Sequence, residues 1–198
     1  MNLTGLTVAM VGLLVLLTAV AHAHGSTIPT WEAALFRRVN RLPGWLYPVL
    51  WGPMQLGNLA VGTAAGVLIG WLADAVLVAV GAVLAAVAKL GIERVIRHEM
   101  HEYLAVRTRP GTSQPGAILR GDVPASGPSF PSGHIILVAA VAVVVVPAIP
   151  LSLRWIPLLA ITLTMLGRVY VGAHNPLDVV AGLGAGLLAG GAILAVGG

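Results

Sequence analysis

The sequence predicts an all-α polytopic membrane protein, six transmembrane helices in one bundle, forming a single membrane domain over residues 1–198. Three observations lead there. Hydrophobic residues make up 58% of the chain and charged ones 9%, against about a quarter charged in an ordinary soluble domain. Residues 3–21, 42–73, 75–88 and 135–153 carry no formal charge, and a spanning helix needs roughly 20 apolar residues. The polar stretches between these runs are too short for a soluble module, and mean hydropathy is +0.94.

Each element follows in order. "MNLTGLTVAMVGLLVLLTAVAHAHGS" lacks the basic start of a secretory signal and has too long an apolar stretch for one. About 3–22 is therefore read as a first span rather than a cleaved leader. "WEAALFRRVNRLPGW" predicts a short interfacial amphipathic helix, with Trp31, Trp45 and Tyr47 at headgroup depth. A second span covers about 48–70, and a tight turn at "GWLAD" leads into a third from Asp74. The helical pattern there continues to Val106, about 50 Å of helix against a hydrocarbon core of about 30 Å, so the charged end "KLGIERVIRHEMHEYLAV" should leave the lipid. "RPGTSQPGAILRGDVPASGPSFPSG" holds five Pro and five Gly and reads as a loop. The fourth span starts near Ser132 and ends by Pro147, the fifth covers about 153–170 and the sixth about 176–197. Gly182, Gly186 and Gly190 form a stripe on the last helix, suited to close packing against a helix of the same chain.

Composition also bounds function. With no cysteine, disulfides and thiolate metal sites are excluded. A net charge of +4, with no basic run longer than Arg37-Arg38, gives no nucleic-acid surface and suits anionic headgroups or a phosphorylated lipid. His98, His101 and Glu102 in "RHEMHEYL" have helical spacing, but the segment is not HExxH and reads as a solvated helix face with internal ion pairs. His22 and His24 read as interfacial, and Arg154 beside Trp155 as a headgroup anchor.

After Asp122 the only charges are Arg154, Arg168 and Asp178, and two of these fall in "GRVYVGAHNPLD". Ionisable groups at membrane depth are costly and point to function. Helices of alternating direction bring this stretch, "PSGH" and "RTRP" to one face. Ser132 and Gly133 open a helix behind Pro131, where unpaired N–H groups favour an anion. Arg109 and Arg168 offer forked donors to phosphate oxygens. Asp178, four residues after His174, can accept a hydrogen bond from one ring nitrogen and leave the other as nucleophile. His134 can protonate a leaving group. The residues point to phosphoryl transfer.

"PSGH" at 131–134 and Arg168-x5-His174-x3-Asp178 resemble the second and third signature motifs of the type 2 phosphatidic acid phosphatase (PAP2) superfamily. "EYLAVRTRP" at 102–110 resembles the first, Lys-x6-Arg-Pro, and the resemblance covers roughly 45–195. It implies hydrolysis of a lipid phosphate with no metal or other cofactor, through a phosphohistidine. It implies His174 as nucleophile, Asp178 as its orienting partner and His134 as general acid, with Arg109, Ser132, Gly133 and Arg168 binding the phosphate. The sequence departs from the pattern at Gly167, where the third motif often has Ser, and at Glu102, which stands at the lysine position. Arg107, two residues before Arg109, is the cation that could compensate.

The expected protein is thus an integral, multi-pass lipid phosphatase of a bacterial plasma (inner) membrane. Its substrates would be a polyprenyl (di)phosphate, a polyprenyl-phosphosugar, phosphatidate or phosphatidylglycerophosphate. Two rival readings are transfer of the phosphoryl group to an alcohol, and a non-catalytic lipid-phosphate-binding scaffold, the latter motivated by Glu102. Arg37, Arg38, Arg41, Arg94, Arg97 and Arg120 share the site's face, with Lys89 nearby, which by the positive-inside bias turns that face towards the cytoplasm. The sequence assigns no oligomeric state.

Overall fold

The structure is a computed structural model that describes residues 2–23, 27–96 and 107–197. Its helices in chain order are α1 (Leu3–Ala23), α2 (Thr30–Asn40), α3 (Leu46–Gln55), α4 (Leu59–Leu72), α5 (Val76–Arg94), the single turn α6 (Pro110–Ser113), α7 (Gly133–Val145), α8 (Trp155–Tyr170) and α9 (Pro176–Gly197). No strand occurs among the described residues. The all-helical prediction holds, as lipid requires of single spans.

The centre of the bundle is α7. "GHIILVAAVAVVV" is apolar all round, and such a helix belongs inside other helices rather than at a surface. Ile135, Ile136, Leu137, Ala139 and Ala140 are fully buried, packed by α4, α5, α8 and α9. The peripheral helices turn large apolar side chains outward: Met10 and Leu14 on α1, Leu68 on α4, Val80, Val83 and Val87 on α5, Leu158 on α8. In water such a rim would be a liability, while in hydrocarbon it is the expected surface.

Close approach around α9 comes from glycine on two faces. A Cβ on Gly182, Gly186 or Gly190 would lie 2.6, 2.6 or 2.7 Å from the carbonyl oxygens of Ser132, Ile136 and Ala140, one turn apart along α7. On the other face Gly184 and Gly191 meet the α1 backbone at Leu16 and Ala9. The glycine stripe is therefore an intramolecular seam. Gly186→Val is expected to destabilise the bundle by about 1–3 kcal/mol, read as a lower melting temperature in detergent. Gly44→Ala, where a Cβ meets nothing, serves as the control.

The helix expected over 48–70 needs correction. The single helix predicted over 48–70 is a pair, α3 and α4, bent by 65°. Asn58 restarts the chain: its side chain accepts hydrogen bonds from the N–H groups of Ala60 and Val61, at 3.0 and 3.4 Å, as an N-cap does. The break brings Gly57 against the site, since a Cβ there would lie 2.6 Å from the His134 Cβ. By length and composition four described helices can cross a membrane, α1, α5, α9 and α8 with its preceding 3-10 turn, or five if the bent pair is one span. The six predicted spans included α7, which with its final turn covers only Gly133–Ala148 before Pro150. The predicted helical run to Val106 ends as regular α-helix at Arg94, and residues 97–106, including His98, His101 and Glu102, lie outside the described residues.

The loop after α6 is tied down by two side chains, Asn40 and Arg120. Asn40, buried at the end of α2, donates to the Ile118 and Tyr170 carbonyls and accepts from the Ile118 N–H. Arg120 stacks 4.1 Å above the Tyr170 ring and donates to the carbonyls of Asn40, Tyr170 and Leu42. One of the cations counted above towards membrane orientation is thus spent holding the end of α8.

Candidate active site

The turn from α8 to α9 is built by backbone exhaustion. The N–H groups of Ala173 and His174 both reach the Arg168 carbonyl, at 3.0 and 3.3 Å, and Gly172 turns the chain at φ +77°. Pro176 then opens α9, where a missing N–H costs nothing. Asp178 Oδ2 accepts the Asn175 N–H at 2.8 Å, the reciprocal half of a capping box. Asn175 is itself held on both sides, accepting from Gln114 Nε2 at 3.0 Å and donating to the Thr108 carbonyl at 3.2 Å.

Segments 107–109 and 127–129 run antiparallel beneath this turn. Thr108 bridges Pro128, and Ser129 gives both its N–H and its hydroxyl to the Arg107 carbonyl, at 2.8 and 3.0 Å. The carbonyl of Ser129 is thereby fixed, and it takes His174 Nδ1 at 2.9 Å. A carbonyl can only accept, so Nδ1 carries the proton and Nε2 carries the lone pair. The two signature segments also meet directly: the Ser132 N–H donates to the Asp178 carbonyl at 2.9 Å. Arg109 closes the third side by donating to the Ala173 carbonyl at 3.1 Å. The sequence-predicted residues His134, His174, Ser132, Gly133, Arg109, Arg168 and Asp178 are brought to one end of α7 and α9.

Their contacts differ from expectation in two places. Asp178 does not hydrogen-bond His174: its Oδ2 lies 3.9 Å from Nδ1, beyond bonding range, and the Ser129 carbonyl holds the ring instead. Arg107 faces away from a phosphate role. Its Nε donates to Asp178 Oδ1 at 2.9 Å and its Nη2 to Glu32 Oε1. Glu32, on α2 and fully buried, accepts the Leu177 N–H at 2.8 Å with the same oxygen. An arginine lodged between two buried carboxylates is a scaffold for the start of α9, although its Nη1 has no hydrogen-bond partner among the described residues.

Glu32 and Ser129 were invisible to sequence reading. Glu32 lies in a segment whose other charges are arginines, which reads as an interfacial face, and its partner is far along the chain. Burial pushes the Glu32 carboxyl above its ordinary value, while the Leu177 N–H and Arg107 pull it down less strongly.

His174 is held neutral. Burial lowers its pKa well below the usual 6.5, and the nearby charges of Arg168 and Arg109 act the same way, against the Ser129 hydrogen bond. The sign for stability follows. Below about 6.5 an unfolded chain gains a proton here that the folded chain refuses, so this histidine costs stability as pH falls and is neutral in effect above that value. The melting temperature is expected to drop below pH 6.5, with a shallower slope in His174→Asn, and a slope unchanged by that substitution would contradict the assignment.

Two buried donors beside the histidines, Ser132 Oγ and Arg168 Nε, have no hydrogen-bond partner among the described residues. Buried donors are normally satisfied, and each one left over calls for an explanation. The fields reaching the His134 ring come from Arg168, Lys89 and Arg109, all cationic. Unsatisfied donors and three cations at the first turn of a buried helix suit a tetrahedral anion, with one carboxylate, that of Glu93, lying against Gly133.

Comparison with curated proteins gives no match. Among solved structures, Aquifex aeolicus LpxE aligns with a TM-score of 0.69 at 23% identity, over 82% of this chain and 93% of its own. The first transmembrane PAP2 type phosphatidylglycerolphosphate phosphatase from Bacillus subtilis aligns at 0.68 and 21% identity, over 98% and 96%. At such identities the likeness is one of fold. The PAP2 superfamily model itself matches residues 75–197, more than half the sequence and all of the α7–α9 site. The chain belongs to the PAP2 superfamily.

Proposed function

We propose that this protein is an integral membrane lipid phosphatase that hydrolyses a lipid mono- or diphosphate through a phosphoryl group carried on His174. The observation that carries the reading is a buried imidazole, its Nδ1 held by the Ser129 carbonyl, beside two buried donors without partners among the described residues, Ser132 Oγ and Arg168 Nε.

In the first step the His174 Nε2 lone pair forms a bond to phosphorus as the phosphorus–oxygen bond to the lipid breaks, and His134 gives its proton to the departing oxygen. In the second, His134 takes a proton from water, the water oxygen bonds to phosphorus, the nitrogen–phosphorus bond breaks and inorganic phosphate leaves. Arg109, Arg168, Ser132 and the Gly133 N–H hold the non-bridging oxygens, where charge is concentrated during transfer. Asp178 acts through its caps, fixing Asn175 and the turn that carries His174, with Arg107 and Glu32 behind it. The scheme calls on no metal ion.

The lipid character of the substrate rests on the outward apolar rim, which gives a buried site at the membrane face access to a headgroup whose tail stays in the bilayer. In this reading the bent α3–α4 pair and α7 complete six spans, and the site faces the cytoplasm as the positive-inside count indicates. The name of the Bacillus subtilis relative adds weight to phosphatidylglycerophosphate among the candidates.

The test is phosphate release by purified protein, with a chelator present, from a panel of polyprenyl phosphates and diphosphates, phosphatidate and phosphatidylglycerophosphate. Release from at least one is expected. A folded protein inactive across the panel would overturn the reading and leave the binding scaffold that Glu102 suggests.

A further inference from the structure

The cradle has a cation that the signature motifs do not include. Lys89 sits on α5, its Nζ 2.7 Å from Glu93 Oε2, with both side chains only 15% exposed. The pair lies against the first residue of α7: a Cβ on Gly133 would fall on the Glu93 carboxylate and 3.0 Å from Lys89 Cε. Gly133 is thus the residue whose missing side chain makes room for them. Lys89 is one of three cations, with Arg168 and Arg109, whose charge reaches the His134 ring next to Gly133. Arg107 is held by Glu32 and Asp178, and the motif position where a lysine was expected carries Glu102, so neither residue is the obvious third cation.

We propose that Lys89 is a substrate-binding residue of this site, its ammonium taking a non-bridging oxygen of the phosphate held at the start of α7, with Glu93 keeping it in place between turnovers. This rests on the phosphatase reading for its kinetic form, though not for binding. The Cε already lies near the Gly133 Cα, and the four-carbon stem allows Nζ to turn from the carboxylate to an incoming dianion by rotamer change alone. Exchange of one anionic partner for another keeps the ammonium paired throughout.

The test compares Lys89→Met, Lys89→Arg and Glu93→Gln. A purely structural ion pair and a substrate contact give opposite patterns. If the pair only fastens α5 to α7, both Lys89→Met and Glu93→Gln lower the melting temperature and leave KM alone. If Lys89 binds phosphate, Lys89→Met raises KM about tenfold or more with kcat much less affected, Lys89→Arg recovers most of the loss, and Glu93→Gln, which removes the competing carboxylate, lowers KM. Binding of dodecyl phosphate, followed by titration calorimetry in detergent, gives the same comparison without turnover and keeps the two ideas apart. An inactive wild type that binds dodecyl phosphate through Lys89 would end the phosphatase reading and keep this one. Wild-type KM and affinity in Lys89→Met would end this one alone. Should Lys89→Met not fold, Glu93→Gln decides: a lowered KM and tighter binding of dodecyl phosphate support the proposal, and an unchanged or raised KM overturns it.

Discussion

His174→Ala is expected to lower phosphate release by on the order of 10⁴-fold or more, the loss seen when a covalent nucleophile is removed from a group that acts as a unit. The size follows from the route. Without Nε2 the reaction must proceed by direct attack of water, and Ser132, Arg109 and Arg168 can still bind the phosphate but not split one difficult displacement into two easier ones. KM should therefore change little while kcat collapses. His134→Ala should cost less, about 10²- to 10⁴-fold, because its part is proton transfer. A smaller loss for His174 than for His134 would invert the assigned roles.

Arg107→Ala is expected to be the most destabilising single change at the site, by about 3–5 kcal/mol, because it leaves Asp178 and Glu32 buried with their shared counter-charge gone. Both carboxylates keep backbone donors, the Asn175 and Leu177 N–H groups, so the start of α9 is loosened rather than erased. The loss is one of fold before it is one of chemistry, and its signature is a large drop in melting temperature. Removing the charges together, in Arg107→Met with Glu32→Gln and Asp178→Asn, should restore much of that stability. A phosphate-binding Arg107 would behave otherwise, with KM raised and melting temperature unchanged, and that result would refute the contact assigned here.

The sequence made the periodic and the local features legible. The spans expected over about 3–22, 153–170 and 176–197 fall within a few residues of α1, α8 and α9. The site was legible because His134, Arg168, His174 and Asp178 are polar groups in oily surroundings, and such exceptions carry information. What stayed hidden depends on partners distant along the chain. Glu32 and Arg107 are 75 residues apart, and no pattern in either segment reveals the other. Asn58 looks like one more polar residue in an apolar run until its side chain is seen capping α4. The spacing of His174 and Asp178 allowed a direct hydrogen bond, and only the fixed Ser129 carbonyl shows why the ring is held elsewhere. Lys89 lies outside every motif, and Gly133 brings it to the phosphate cradle by having no side chain.

The whole account stands on a covalent step at one imidazole, and trapping that intermediate tests it most directly. Wild-type protein mixed with a turned-over, phosphorus-32-labelled lipid phosphate and quenched in base should carry label on His174, stable to alkali and lost in acid as a phosphoramidate is. Turnover with no labelled protein at any quench time, or the same label on His174→Ala, would contradict it.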